Sequence, residues 1–277
     1  MTAVRGNNGI IGTTGPLIHT GNCLEWLAAF ERKSVDITMT DPPYDVHVHG
    51  KARTGRWSKD SKRRYKGVKN GFHGVRATSF GFDSLSLDAM DGAAYHFARV
   101  TRRWVLVFCS IEMVNDWRLA LVRHGLEYVR TCIWVKECST PQFTGDRPAQ
   151  AFEAIVLAHP RGRKRWNAGG KRGIYTHSIV VNRGGKNARH AEDTTPKPVP
   201  LMLDLVDDFT NAGEIVIDPF AGMGTTGVAC IRRGRMFLGC ELKPIKARRA
   251  NERLVAEREG STIQAREAGQ LPLLGAS

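Results

Sequence analysis

The sequence predicts an α/β fold, a mostly parallel sheet with helices on both faces. Short apolar or β-branched runs alternate with segments of helical period. The two sharpest turn motifs each follow such a run directly, and 277 residues are enough for one large domain with its own core. In chain order, helical spacing over Cys23–Phe30 precedes a β-branched strand run at Val35–Thr40. Leu87–Val100 is helical by spacing, Trp104–Cys109 is an apolar strand run, and Ile111–Arg123 is helical again. Tyr128–Val135 and Ala154–Ala158 are strand runs, followed by a helix over Val199–Phe209. Strand Glu214–Ile217, helix Thr225–Arg233, strand Met236–Cys240 and helix Ile245–Arg258 complete the alternation. There is no internal repeat.

Composition narrows the function classes. Hydrophobic residues at 42% and charged residues at 25% exclude global disorder and fibrous classes. The longest apolar run lies near Val105–Cys109, far short of the ~18–20 residues of a membrane helix. No continuous apolar stretch follows Met1–Asn7, so the expectation is a cytoplasmic protein without a secretory signal. The six cysteines include no Cys-x-x-Cys pair and no zinc-like His spacing, so no metal site is expected. Lys and Arg number 41 against 27 Asp and Glu, a net charge of +14, which points to a polyanionic partner.

That charge is concentrated. Asp45–Phe80 holds ten Lys/Arg and two acids, with Trp57, Tyr65 and Phe72 interleaved; Arg161–Ala191 holds nine Lys/Arg and no acid, with Trp166 and Tyr175. Both read as long loops. Each alone is compatible with a solvated surface, but basic segments with stacking rings suit a nucleic-acid backbone and extruded bases.

The first motif, Asp41-Pro42-Pro43-Tyr44, directly follows the run ending at Thr40. In an open α/β sheet, ligands bind beyond the carboxyl ends of strands. Consecutive prolines fix φ twice and remove two N–H donors, leaving carbonyls held in a set direction. Asp41 adds an anionic acceptor and Tyr44 a flat ring, a combination suited to gripping the exocyclic amine of a planar base.

The second motif runs from Ile217 through Asp218-Pro219-Phe220-Ala221-Gly222-Met223-Gly224-Thr225-Thr226-Gly227. Its glycines allow a tight turn and close backbone approach, and the following helix presents its N-terminus to the same space. Glu241, after the next strand run, is placed to accept ribose hydroxyls. Gly222-x-Gly224-x-x-Gly227 with Glu241 also satisfies a dinucleotide pattern. The acid and aromatic ahead of the glycines, and the lack of a hydride-transfer residue set, argue against a nicotinamide cofactor.

Together the two motifs resemble the permuted (β-type) amino DNA methyltransferases, in which the catalytic tetrapeptide precedes the cofactor motif. The resemblance spans about Gly21 to Glu252 and includes Gly21–Leu24, Val35–Tyr44, Arg147–Ala158, Thr195–Val199 and Asp218–Thr226. It implies a Rossmann-like methyltransferase fold with a mixed seven-stranded sheet over residues 16–260, and S-adenosyl-L-methionine as methyl donor. By the same resemblance Phe220, Gly222 and Gly224 surround the cofactor, Asp218 and Thr225 hold its methionine end, Glu241 holds the ribose, and Lys197 lies toward its carboxylate. Asn22 stands where the family usually has Asp. Asp41 at the head of the tetrapeptide points to N6 of adenine, with N4 of cytosine or RNA methylation as alternatives and a catalytically inactive DNA-binding module as the reading from another class.

The implied mechanism flips the base out of double-stranded DNA, stacks it on Tyr44, and holds the amine on Asp41 and the Pro42 carbonyl, with Pro43 stiffening the turn. Residues 160–194 are the expected target-recognition segment, with Arg163, Lys164, Arg165 and Arg172 as contacts. Loop 45–82, through Lys62, Arg63 and Arg64, is expected to hold the DNA strand. The tail 261–277 is expected to be disordered; its Gln270–Leu274 resembles peptides that dock bacterial sliding clamps. The resemblance also implies a restriction–modification setting, as a monomer or homodimer.

Overall fold

The computed structural model describes residues 4–6, 9–11, 17–43, 85–139, 146–180 and 196–260. Tyr44, Lys62, Arg63, Arg64 and Gln270–Leu274 lie outside them. Strands β1 (Val4–Gly6) and β2 (Gly9–Ile11) form a separate antiparallel pair. The main sheet contains β3 (Ile18–Thr20), β4 (Ile37–Thr40), β5 (Val105–Cys109), β6 (Leu126–Val135), β7 (Phe152–Pro160), β8 (Ile174–Thr176), β9 (Ile215–Asp218) and β10 (Met236–Glu241). Their order is β3-β10-β9-β4-β5-β7-β6-β8. Among these strands only β7 runs against its neighbours, pairing antiparallel with both β5 and β6.

The described sheet therefore has eight strands where seven were expected. Two of its strands, β3 and β8, have three residues each and fall below the length at which apolar periodicity is readable. β8 also corrects the reading of Arg161–Ala191 as a loop throughout: Ile174–Thr176 pairs in parallel with Ile133–Val135. Strand β7 runs two residues past the expected Ala154–Ala158 at each end, taking in Glu153.

Helices α1 (Cys23–Ala28), α2 (Leu87–Val100), α3 (Val114–Arg123), α4 (Val199–Phe209), α5 (Thr225–Arg232) and α6 (Pro244–Arg258) match the periodic segments to within a few residues. Before α3, Ile111–Met113 forms a 3₁₀ turn. Two cores sandwich the sheet. Leu106 and Phe108 of β5 pack with Leu201, Leu205, Val228 and Leu254 of α4, α5 and α6. The alternate residues Val105, Val107 and Cys109 pack with Leu27, Phe97 and Trp117 of α1, α2 and α3. Period-two alternation feeding helices on both faces is what forces this three-layer arrangement.

Candidate active site

Strands β10, β9, β4 and β5 are parallel neighbours, so Glu241, Asp218, Asp41 and Cys109 all arrive at one edge. Asp218 stitches that edge together. It is 3% exposed, and its carboxylate accepts from the Thr40 hydroxyl (2.8 Å), the Thr226 hydroxyl (2.7 Å) and the Phe220 N–H (3.1 Å). Burial pushes its pKa up to about 6, against the three donors that favour the anion, with the Asp41 charge adding to the rise. Asp218 thus ties the turn after β9 to the residue immediately before Asp41. Its hydrogen bonds run to Thr40, Thr226 and Phe220 within this edge.

The turn 219–224 carries Gly222 at φ 51° and Gly224 at φ 73°, a region costly for residues with a Cβ. A Cβ on Gly222 would meet nothing within 4 Å among the described residues, so open space borders the turn there. Gly227 serves packing instead: a Cβ would lie 2.7 Å from the Phe237 ring. The Glu241 carboxylate accepts from the N–H groups of Gly222 (3.1 Å) and Lys243 (2.8 Å), which fixes it beside the glycine turn. Its oxygens retain lone pairs for further donors. Thr225 is 7% exposed, and its hydroxyl accepts from Arg253 at 3.3 Å, while Arg253 also donates to the Met223 carbonyl. Asn22 caps α1, its side-chain oxygen accepting from Leu24 N–H (2.9 Å), while neighbouring Gly21 N–H donates to the Glu241 carbonyl. The amide at position 22 is therefore fitted to helix capping at this same edge.

Farther along the same edge, Asp41 is one-third exposed and Pro42 is buried. The Lys197 ammonium donates to Asp41 Oδ2 at 2.6 Å and lies 2.9 Å from Glu153 Oε2. Glu153 Oε1 accepts in turn from Lys136 at 2.6 Å. Lys197 also faces the rings of Phe108 and Trp134, 5.1 and 5.8 Å from their centroids. Burial alone would lower the Lys197 pKa, but the Asp41 and Glu153 carboxylates outweigh it and hold the ammonium above the usual lysine range. Burial likewise opposes ionisation of Glu153, and the two lysines overcome it.

Lys197, expected toward the cofactor carboxylate, has its Nζ on Asp41 and Glu153. Glu153, Lys136, Thr40 and Thr226 were not singled out in the sequence. The available signal was a carboxylate embedded in an apolar run: Glu153 interrupts Phe152–Ala158.

The expected target-recognition residues divide. Because β7 runs backwards, the chain leaves it at the amino end of β5, where Ala158 pairs with Val105. There Lys164 donates to Glu127 (2.6 Å) and the Arg165 carbonyl accepts from the Trp104 indole (2.6 Å). From Glu153 to Pro160 is about 23 Å of strand at ~3.3 Å per residue, so Arg163, Lys164 and Arg165 are not brought to Asp41. Arg172 is exposed just before β8, which climbs back to the site edge, where His177 N–H donates to the Val135 carbonyl.

Residues 35–252 match the family model described as DNA methylase, of the N6/N4 amino type. The putative methylase YubD of Escherichia coli K12 is 28% identical over 237 residues, covering 85% of this chain and 88% of its own. A putative DNA modification methylase from Thermus thermophilus, solved in complex with S-adenosyl-L-methionine, superposes with a TM-score of 0.59 at 22% identity over 95% of this chain and all of its own. The cytosine-N4-specific PvuII DNA methyltransferase superposes at 0.62 with 14% identity, over 90% and 95%.

Proposed function

We infer the reaction from one premise: the chain belongs to the DNA methylase family of N6/N4 amino-methyltransferases. We propose that it methylates the N6 amino group of adenine in double-stranded DNA, using S-adenosyl-L-methionine. The observation that carries this reading is the juxtaposition of two parallel strand ends: Asp41 follows Thr40, whose hydroxyl is bonded to the Asp218 that also anchors the glycine turn.

S-adenosyl-L-methionine, when bound, supplies an electrophilic sulfonium methyl. The residues fit such a group: Glu241 is fixed beside open space at Gly222, next to the N-terminus of α5, with Phe220 and Gly224 completing the turn. Glu241 would hold the ribose, and the half-buried Phe220 the adenine face. Asp41, with the Pro42 carbonyl, accepts the acceptor amine's N–H groups and draws its lone pair out of conjugation with the ring. Tyr44 stacks the base. Orientation and charge placement supply the rate enhancement, and no covalent intermediate with the protein is needed. The proton released from the alkylated amine passes to solvent.

The strongly basic segment 45–82, which follows the Asp41 turn directly, is assigned to the DNA strand, together with Arg183, Lys186 and Arg189 ahead of Lys197. Asp at position 41 favours adenine; cytosine N4 is the second reading, favoured by the likeness to a cytosine-N4-specific fold. Unmethylated genomic DNA incubated with the protein and labelled cofactor, then digested to nucleosides for mass spectrometry, tests this. N6-methyladenine is the expected product. N4-methylcytosine would replace the adenine reading, and no labelled nucleoside at all would remove the activity.

A further inference from the structure

The mechanism above leaves Glu153 and Lys136 without a task. We propose that Glu153 is a positioning residue for methyl transfer, holding the Lys197 ammonium, and through it the Asp41 carboxylate, in the orientation that receives the acceptor amine. The proposal rests on the methyltransferase reading.

Charge balance alone does not account for the arrangement. Lys197 and Asp41 already neutralise one another; adding Glu153 with its own counter-ion Lys136 changes the net charge by nothing and costs the desolvation of two more ions. What the second pair adds is direction. Glu153 divides its oxygens, Oε1 to Lys136 and Oε2 to Lys197. Its own position is stiff, because Glu153 sits in β7, paired to Trp134 of β6. Lys197 precedes α4 and reaches the site on a flexible four-carbon stem. With Glu153 on one side, Asp41 on the other and two aromatic rings beside it, the ammonium has one place to be. Asp41 Oδ2 is thereby pinned, and the rotation of the carboxylate with it. Both lysines keep Glu153 ionised despite its burial. A reacting group displaced by about 1 Å can cost on the order of 100-fold in rate, so this support lies close to the chemistry although Glu153 touches no reactant.

The test uses the full-length protein in single-turnover methylation, which isolates chemistry from product release. Glu153→Asp keeps the charge but withdraws the carboxylate by one methylene. The methylation rate is expected to fall about tenfold or more, while cofactor affinity by calorimetry and DNA affinity by anisotropy stay within about twofold. The double variant K136Q/E153Q deletes one charge of each sign and so leaves the net charge of the site unchanged. It is expected to regain the melting temperature lost in E153Q but not the rate. Rate returning in step with melting temperature would reduce Glu153 to a packing role and overturn the proposal, as would E153D methylating at the wild-type rate. Should wild-type protein methylate no DNA, the functional reading fails instead, and the two failures are told apart.

Discussion

The two ends of one sheet carry part-buried polar clusters that differ in what their donors meet. At the amino end, Arg103 pairs with Glu214, Trp104 donates to the Arg165 carbonyl, Asn167 donates to the Thr210 carbonyl (2.8 Å), and Arg235 holds both the hydroxyl and the carbonyl of Thr210. These donors mostly end on backbone carbonyls, closing the loops that lead into β5 and β9. At the carboxyl end, Lys136, Glu153, Lys197 and Asp41 form a line of side-chain ions, with the Asp41 carboxylate one-third exposed. A cluster built on backbone carbonyls stabilises; one built of side-chain ions at the carboxyl ends of strands lies where such sheets bind ligands.

The sharpest way to break this contrast is at the two clusters themselves. Asp41→Asn removes the anionic acceptor and is expected to lower single-turnover methylation by about 10²–10³-fold, as loss of a preorganised charge contact does elsewhere. Its cofactor affinity should stay near wild type; a rate within about tenfold would place the chemistry elsewhere. Trp104→Ala at the other end should do the reverse. It deletes a ring that is 3% exposed and packed edge-on against Phe209 and His159, at an expected cost of about 3–5 kcal/mol in denaturant unfolding. The folded fraction should methylate normally, and a slowed rate per folded molecule would merge the two ends functionally.

Charge reversal extends the comparison to the basic segments. Glutamate at Lys62, Arg63 and Arg64 is expected to weaken DNA binding by about tenfold or more and flatten its salt dependence, with cofactor affinity intact. The same change at Arg163, Lys164 and Arg165, remote from Asp41, should alter DNA affinity by less than about threefold. Equal losses in paired salt titrations would restore the latter trio to target recognition.

A pH-dependent effect concerns Asp218. Its pKa is higher folded, about 6, than its ordinary 3.8. Its neutral form therefore favours the fold below pH 3.8, and that contribution is lost as pH rises through about 6. The unfolding free energy of wild type minus that of Asp218→Asn should accordingly fall between those two pH values. A difference that rises with pH there would mean the Thr40, Thr226 and Phe220 donors outweigh burial.

Much of this was legible in one dimension. Periodicity located the six described helices and the six longer strands of the main sheet, because a buried face repeats its signal over several residues. The two site motifs were readable because proline pairs and positive-φ glycines restrict the backbone locally, wherever the chain then goes. β3 and β8 were not, since three residues carry no period and their pairing partners lie far along the chain.

What the sequence by itself determined is therefore the layer architecture, the excess of basic charge and the placing of Asp41 and Glu241 at strand ends. Only the tertiary structure decided which charges meet. The reversal of β7 set Arg163–Arg165 at the amino edge of the sheet and Glu153 at the carboxyl edge. The fold also set Lys197 on Asp41 across 156 residues of chain. The physical reason is that backbone preferences and burial act on neighbours in sequence, whereas an ion pair is chosen by strand order and direction, which no local stretch encodes.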